Sequence, residues 1–178
     1  MPYDSKAVAN YLLKKAESEG KALTPLQLIK LVYFAYGWHL AITGKPLLRE
    51  HIQAWQWGPV VPDLYHEFKR FGGGPITSHA KDFDWLDGDG FDVTIPQLPE
   101  DESTAATRAV LDRVWTLYSK FSGGQLMAMT HQTDTPWDIV WNKEGGKERR
   151  NTEIRDELLK DYFSGLLHKH KAPVGVGQ

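Results

Sequence analysis

"LTPLQLIKLVYFAYGWHLAITG", residues 23 to 44, decides the fold. Thr24 stands where an N-cap belongs, Pro25 at the first helical position, and Gln27 where a capping-box partner would reach back. Gly44 supplies the stop. Between these signals nearly every position is apolar. Ile29, Val32, Tyr36 and Leu40 make one stripe, and Leu28, Leu31, Ala35, Trp38 and Ile42 make a second. Only the line through Gln27, Lys30 and Gly37 is polar or small. A helix apolar on most sides lies inside a domain and is covered by other elements. The sequence therefore predicts a mainly α fold of the α+β class, a compact helical domain around this central helix with a small antiparallel β element.

The covering elements follow from the flanks. Asp4 caps a helix carrying Val8, Tyr11, Leu12 and Ala16, which Gly20 ends. Residues 51 to 57, "HIQAWQW", alternate with period two and read as a short strand: Ile52, Ala54 and Gln56 on one face, His51, Trp55 and Trp57 on the other. Gly58-Pro59 breaks it, and Pro62 opens a helix with Val61, Leu64, Tyr65, Phe68 and Phe71, closed by three glycines at 72 to 74. Residues 82 to 107 carry eight acids and no lysine or arginine, which reads as an exposed, turn-rich loop. Within it "FDVTI", 91 to 95, is expected to be a strand pairing with 51 to 57. An amphipathic helix follows on Val110, Leu111, Val114, Trp115, Leu117, Tyr118 and Phe121. Ser122 caps a shorter helix, "TDTPWDIVW" packs Trp137 and Trp141, and "KEGGKERRN" is a charged loop. Ile154, Leu158, Tyr162 and Leu166 mark the last helix. The helices near 5–19, 61–71, 105–121 and 152–167 are expected to wrap the central one. One domain is expected over residues 1–167, with 168–178 a disordered tail.

Composition bounds the chemistry. A chain of 178 residues can bury a sizeable core without staples, and it has no cysteine, which removes disulfides, thiol chemistry and thiolate metal sites. That suits a reducing cytoplasm, the expected location. The start, "MPYDSKAVANYLLKKAES", lacks the basic and apolar blocks of a signal peptide, and no apolar run approaches bilayer length. With a net charge of −2, there is no global basic field to draw nucleic acid; only "KERR" and the tail are locally positive.

Catalytic and cofactor motifs are missing from the pattern. The seven histidines are scattered, and the close pair His168 and His170 falls in the tail, so neither a metal nor any other cofactor is expected. "DGDGFD" does not keep the acid spacing of a calcium loop, and no phosphate-cradling glycine motif or nucleophile elbow occurs. His39, beside Trp38, reads as a hydrogen-bonded core histidine, and His131 as a partner of Asp134 in a cap-like turn. What remains is an aromatic surplus, with seven tryptophans in the chain. Trp55 and Trp57 either line the far side of a small core or form a protein-binding face, where tryptophan and tyrosine concentrate binding energy.

The ordered combination "LQLIKLVYFAYGWHL", Gly44 and Pro46, Glu50, then "AWQWGPVVPDLY", with "TPWDIVW" and "LLKDYF" later, resembles the Panacea antitoxin domain family, also described as SocA-like and as phage-associated GepA-like proteins. The resemblance covers roughly residues 5 to 165. It implies a small helical protein, not an enzyme, that neutralises a cognate toxin by direct binding; one branch implies a Clp-type protease as a further partner, served by a proteolytic adaptor. Nucleic acid and membrane are not implied as partners. The motif positions Trp38, Trp55, Gly58, Pro59 and Tyr65 serve fold, contact or both. Trp57, Gly58, Pro59, Tyr65 and Trp55 are taken as the partner-binding residues, with Trp55 packed against the central helix and Trp57 exposed. The alternative is a phage-associated hydrolase using His39 or His131 in a buried pocket.

Overall fold

The computed structural model describes residues 1–88 and 90–171. Helix α2, Pro25–Thr43, occupies the centre, with thirteen of its residues buried, from Pro25 to Leu40. Thr24 caps it by accepting from the Gln27 N–H, and Gly44 ends it with a left-handed φ of 70°. The Gln27 side chain does not return to the cap. Its amide donates instead to Phe121 O, 2.9 Å away, tying the start of α2 to the chain just before Ser122. A full capping box does form, at Ser122 and Gln125, where α5 (Gly123–Thr130) begins. Ile42, placed by the pattern on an apolar stripe, is exposed, one residue before the end of α2.

Five helices sheathe α2: α1 (Ser5–Ser18), α3 (Pro62–Phe68), α4 (Ala105–Tyr118), α5 and α7 (Asp156–Lys171). Of these, α5 lies outside the expected set. The closest approach is to α7. Gly37 lets the Phe163 ring settle directly on the α2 backbone, where an added Cβ would lie 2.0 Å from that ring. The buried line of α7 is accordingly Leu159 and Phe163, while Leu158, Tyr162 and Leu166, the expected core stripe, are only half-buried flanks. Around this contact Phe34 stacks on Tyr118 at 4.3 Å, and Trp38 Nε1 donates to Tyr118 Oη at 2.9 Å. α7 continues through Lys171, so the expected tail begins within a helix; the remainder of that tail lies outside the described residues.

The β structure departs from the expectation in its pairing. β1 (Gln53–Trp55) pairs antiparallel with β2 (Gly58–Val60) and with β5 (Thr152–Glu153), giving the order β2-β1-β5. Gly58-Pro59 thus does not break a strand; it starts one. Gly58 takes a φ of 105°, which closes a two-residue turn, and Pro59 sits on the edge strand, where its missing N–H costs no ladder bond. "FDVTI" does form β4 (Phe91–Thr94), but its partner is β3 (Asp82–Trp85), not the 51 to 57 segment. The acidic stretch is therefore a hairpin where a loop was expected. α6 (Pro136–Asp138) leads into a π-helical turn, Ile139–Lys143, near β1. Among the described residues no helix is long and apolar enough to cross a membrane.

Candidate partner-binding site

The hairpin β1–β2 and the start of α3 bring the sequence-chosen residues to one place. Trp55 and Gly58 are paired in the register, so Gln56 and Trp57 form the turn itself. A side chain on a two-residue turn has no strand neighbour to cover it, and Trp57 is 64 % exposed. Trp55 is half-buried. Its ring meets Tyr65 edge-on at 5.1 Å and His66 at 6.5 Å, both on α3, so α3 rather than the central helix is its aromatic neighbour. Its Nε1 donates to Gln53 Oε1 at 2.9 Å, and Trp137 Nε1 donates to its backbone oxygen at 2.7 Å, fixing the strand from α6. Tyr65 is 39 % exposed, whereas Gly58 and Pro59 are buried and hold the turn from beneath.

Trp55, Trp57, Gly58, Tyr65, Leu26 and Lys30 line a pocket of about 270 Å³. Lys30 was visible in the sequence only as part of a polar line. In the fold it is 2 % exposed, and its Nζ donates to Pro59 O at 2.8 Å. Among the described residues it takes part in no salt bridge, and burial is the one cause acting on its pKa. Burial without a counter-charge disfavours the ammonium form and pushes the Lys30 pKa down to about 7. Gly58 makes room for it: a Cβ there would stand 2.7 Å from Nζ and 2.9 Å from Thr130 Oγ1.

The histidines are placed as follows. His39 is buried, with Nδ1 2.9 Å from Lys45 O and Nε2 3.0 Å from Thr107 Oγ1, and burial holds its pKa below the usual imidazole range. It has the bonded core environment expected. His131 does not pair with Asp134. Asp134 adopts a left-handed φ of 65° and gives its carboxylate to Lys143. The His131 ring lies flat on Trp137, 3.8 Å between centroids, with a buried Nε2 that makes no side-chain hydrogen bond among the described residues. Burial, and then the charge of Lys30, lower its pKa.

A second aromatic surface went unread in the sequence. Phe83, Trp85, Phe91 and Val93 are all exposed on β3–β4, with Trp85 at 84 %. The alternation in "DFDW" and "FDVT" carries this signal in the sequence, where the interleaved acids mask it.

Fold and pocket together define a mainly α domain with an aromatic-lined pocket beside an exposed tryptophan turn. The chain belongs to the SocA-like antitoxin family defined by the Panacea domain: the family described as "Antitoxin SocA-like, Panacea domain" matches residues 28–138. It is 33 % identical over 174 residues to Antitoxin SocA of Caulobacter vibrioides (strain NA1000 / CB15N), covering 98 % of this chain and 89 % of that protein. No solved structure matches the chain. Both similarities support an antitoxin role.

Proposed function

We propose that this protein neutralises a cognate toxin by binding it directly, and that the Trp57 pocket is the main contact. The observation that carries the reading is Trp57 itself: a large aromatic held out on a two-residue turn beside a pocket lined by Trp55 and Tyr65. The backbone turn is already formed, so only the side chain has to be ordered on binding, and a central aromatic anchor contributes about 2 kcal/mol or more to an interface. Gly58 and Pro59 hold the turn, and Trp55 and Tyr65 form the wall against which a partner side chain packs. Delivery of the bound toxin to a Clp-type protease is the finer form of the reading that the family resemblance implies. Hydrolysis through His39 or His131 gains no support from the geometry: both His39 nitrogens are engaged, and the buried His131 Nε2 makes no hydrogen bond to a side chain among the described residues.

The test is co-expression with the protein encoded by the adjacent gene. That protein is expected to arrest growth alone, to be rescued by this chain, and to co-purify with it. Trp57→Ala should keep the wild-type melting temperature and lose rescue. A Trp57→Ala protein that rescues and binds as well as wild type refutes the assignment of the site. Rescue that fails only in a host lacking Clp protease would establish the adaptor form.

A further inference from the structure

The β3–β4 hairpin is a two-faced finger. Phe83 stands opposite Val93 and Trp85 opposite Phe91, so these four side chains share one face. Phe91 lies 6.1 Å from both Phe83 and Trp85, forming a continuous aromatic strip that no other element among the described residues covers. Register places Asp82, Asp84, Asp92 and Thr94 on the other face. Asp84 and Asp92 are direct cross-strand partners, a like-charge pair that destabilises an isolated hairpin. Both strands keep a free edge, since the sheet has two strands only. The base of the finger is secured: Lys6 bonds Lys81 O and the Asp82 carboxylate at 2.7 Å each, and Asn10 bonds Ala80 and Pro96. Beyond that base nothing among the described residues offsets the exposed aromatics or the opposed acids.

We infer that this hairpin is a second docking element, which inserts into a basic cleft of the toxin with one apolar wall. The inference rests on the antitoxin reading above and adds a surface that shares no residue with the Trp57 pocket. The occupant follows from charge. Two copies of the chain packed strip against strip would cover the aromatics but leave both Asp84–Asp92 pairs unrelieved on the outer faces, and residues 82 to 107 contain no lysine or arginine to relieve them. An anionic membrane or a nucleic acid adds to the repulsion. A cationic protein surface relieves it while the aromatic strip packs on the apolar wall.

The experiment uses the full chain and the purified toxin from the adjacent gene, comparing wild type with Trp85→Ser/Phe91→Ser and with Asp84→Asn/Asp92→Asn. The aromatic double variant should melt like wild type and bind the toxin about 30-fold or more weakly, the loss expected of one central aromatic anchor. The aspartate variant should melt higher, because the opposed charges are gone, yet associate about tenfold more slowly at low salt, a gap that closes at high salt. Aromatic-variant affinity within twofold of wild type overturns the inference, as does a wild-type dimer on size exclusion that this variant abolishes. If wild type itself neither binds nor rescues, the antitoxin reading fails and the inference goes with it. If wild type rescues and Trp57→Ala does not, while both hairpin variants rescue, the hairpin assignment alone is wrong.

Discussion

Lys30→Met exchanges the buried amine under the Trp57 pocket for an uncharged chain of similar length. The folded-state pKa falls from 10.5 to about 7, and burial is the cause. In the unfolded chain the amine stays protonated up to its ordinary value. Between pH 7 and 10.5 the unfolded state therefore holds more protons than the folded one, and stability rises with pH across that window. From pH 7 to pH 9 the gain is about 2 kcal/mol, since the folded amine goes from half to almost fully neutral. The window also lies above the range in which His39 and His131 titrate. Urea unfolding of wild type and Lys30→Met at pH 7, 8 and 9 isolates the effect as a difference between the two proteins. Wild type should gain about 2 kcal/mol relative to the variant, with equal m-values. The variant loses the hydrogen bond to Pro59 O at every pH, which offsets the whole curve without changing its slope. A difference that is flat from pH 7 to 9, or falls, would refute the uncompensated burial of Lys30.

Gly37→Ala should cost about 2–3 kcal/mol, because neither the α2 backbone nor the fully buried Phe163 ring can give way to a methyl 2.0 Å from that ring. Leu40→Ala, in the same buried helix, should lower stability by about 2–5 kcal/mol through the cavity it leaves. Denaturant titration reads both, and wild-type midpoints would mean that α2 is not the centre of the fold. Trp55→Ala should cost about 2 kcal/mol of folding stability through its contacts with Tyr65 and His66, in contrast with Trp57→Ala; equal melting of the two variants would end the division of labour between the tryptophans.

The central helix was legible because its signals are local. Thr24, Pro25 and Gly44 mark its ends, and an apolar pattern on nearly every side has few other physical solutions. The exposure of Trp57 was legible from its place beside Gly58. Pairing was not. β5 is two residues long and about a hundred residues from β1, so nothing in its composition announces it. Pro59 suggested a break because proline disfavours strands, and only the edge position of β2 makes it acceptable. The acids of 82 to 92 hid an alternation that hydrophobicity alone would have revealed. Lys30 needed the third dimension: a lysine on an apolar helix reads as a solvent line until Pro59 O and the pocket are placed over it. On α7, two candidate stripes lie one residue apart, and Gly37 on another helix decides which faces inward.

A helix sheathed by five others has a consequence in time. Amide hydrogens of α2 from Leu28 to Leu40 can meet solvent only when the surrounding helices separate, so their exchange should report the global opening of the protein. Lys30 belongs to that slow segment, and the floor of the pocket is as durable as the fold. The β3–β4 finger, bonded to the body at its base, should exchange through small local openings many times faster. One chain thus offers a partner a floor that does not yield and a finger that can adjust before it is gripped.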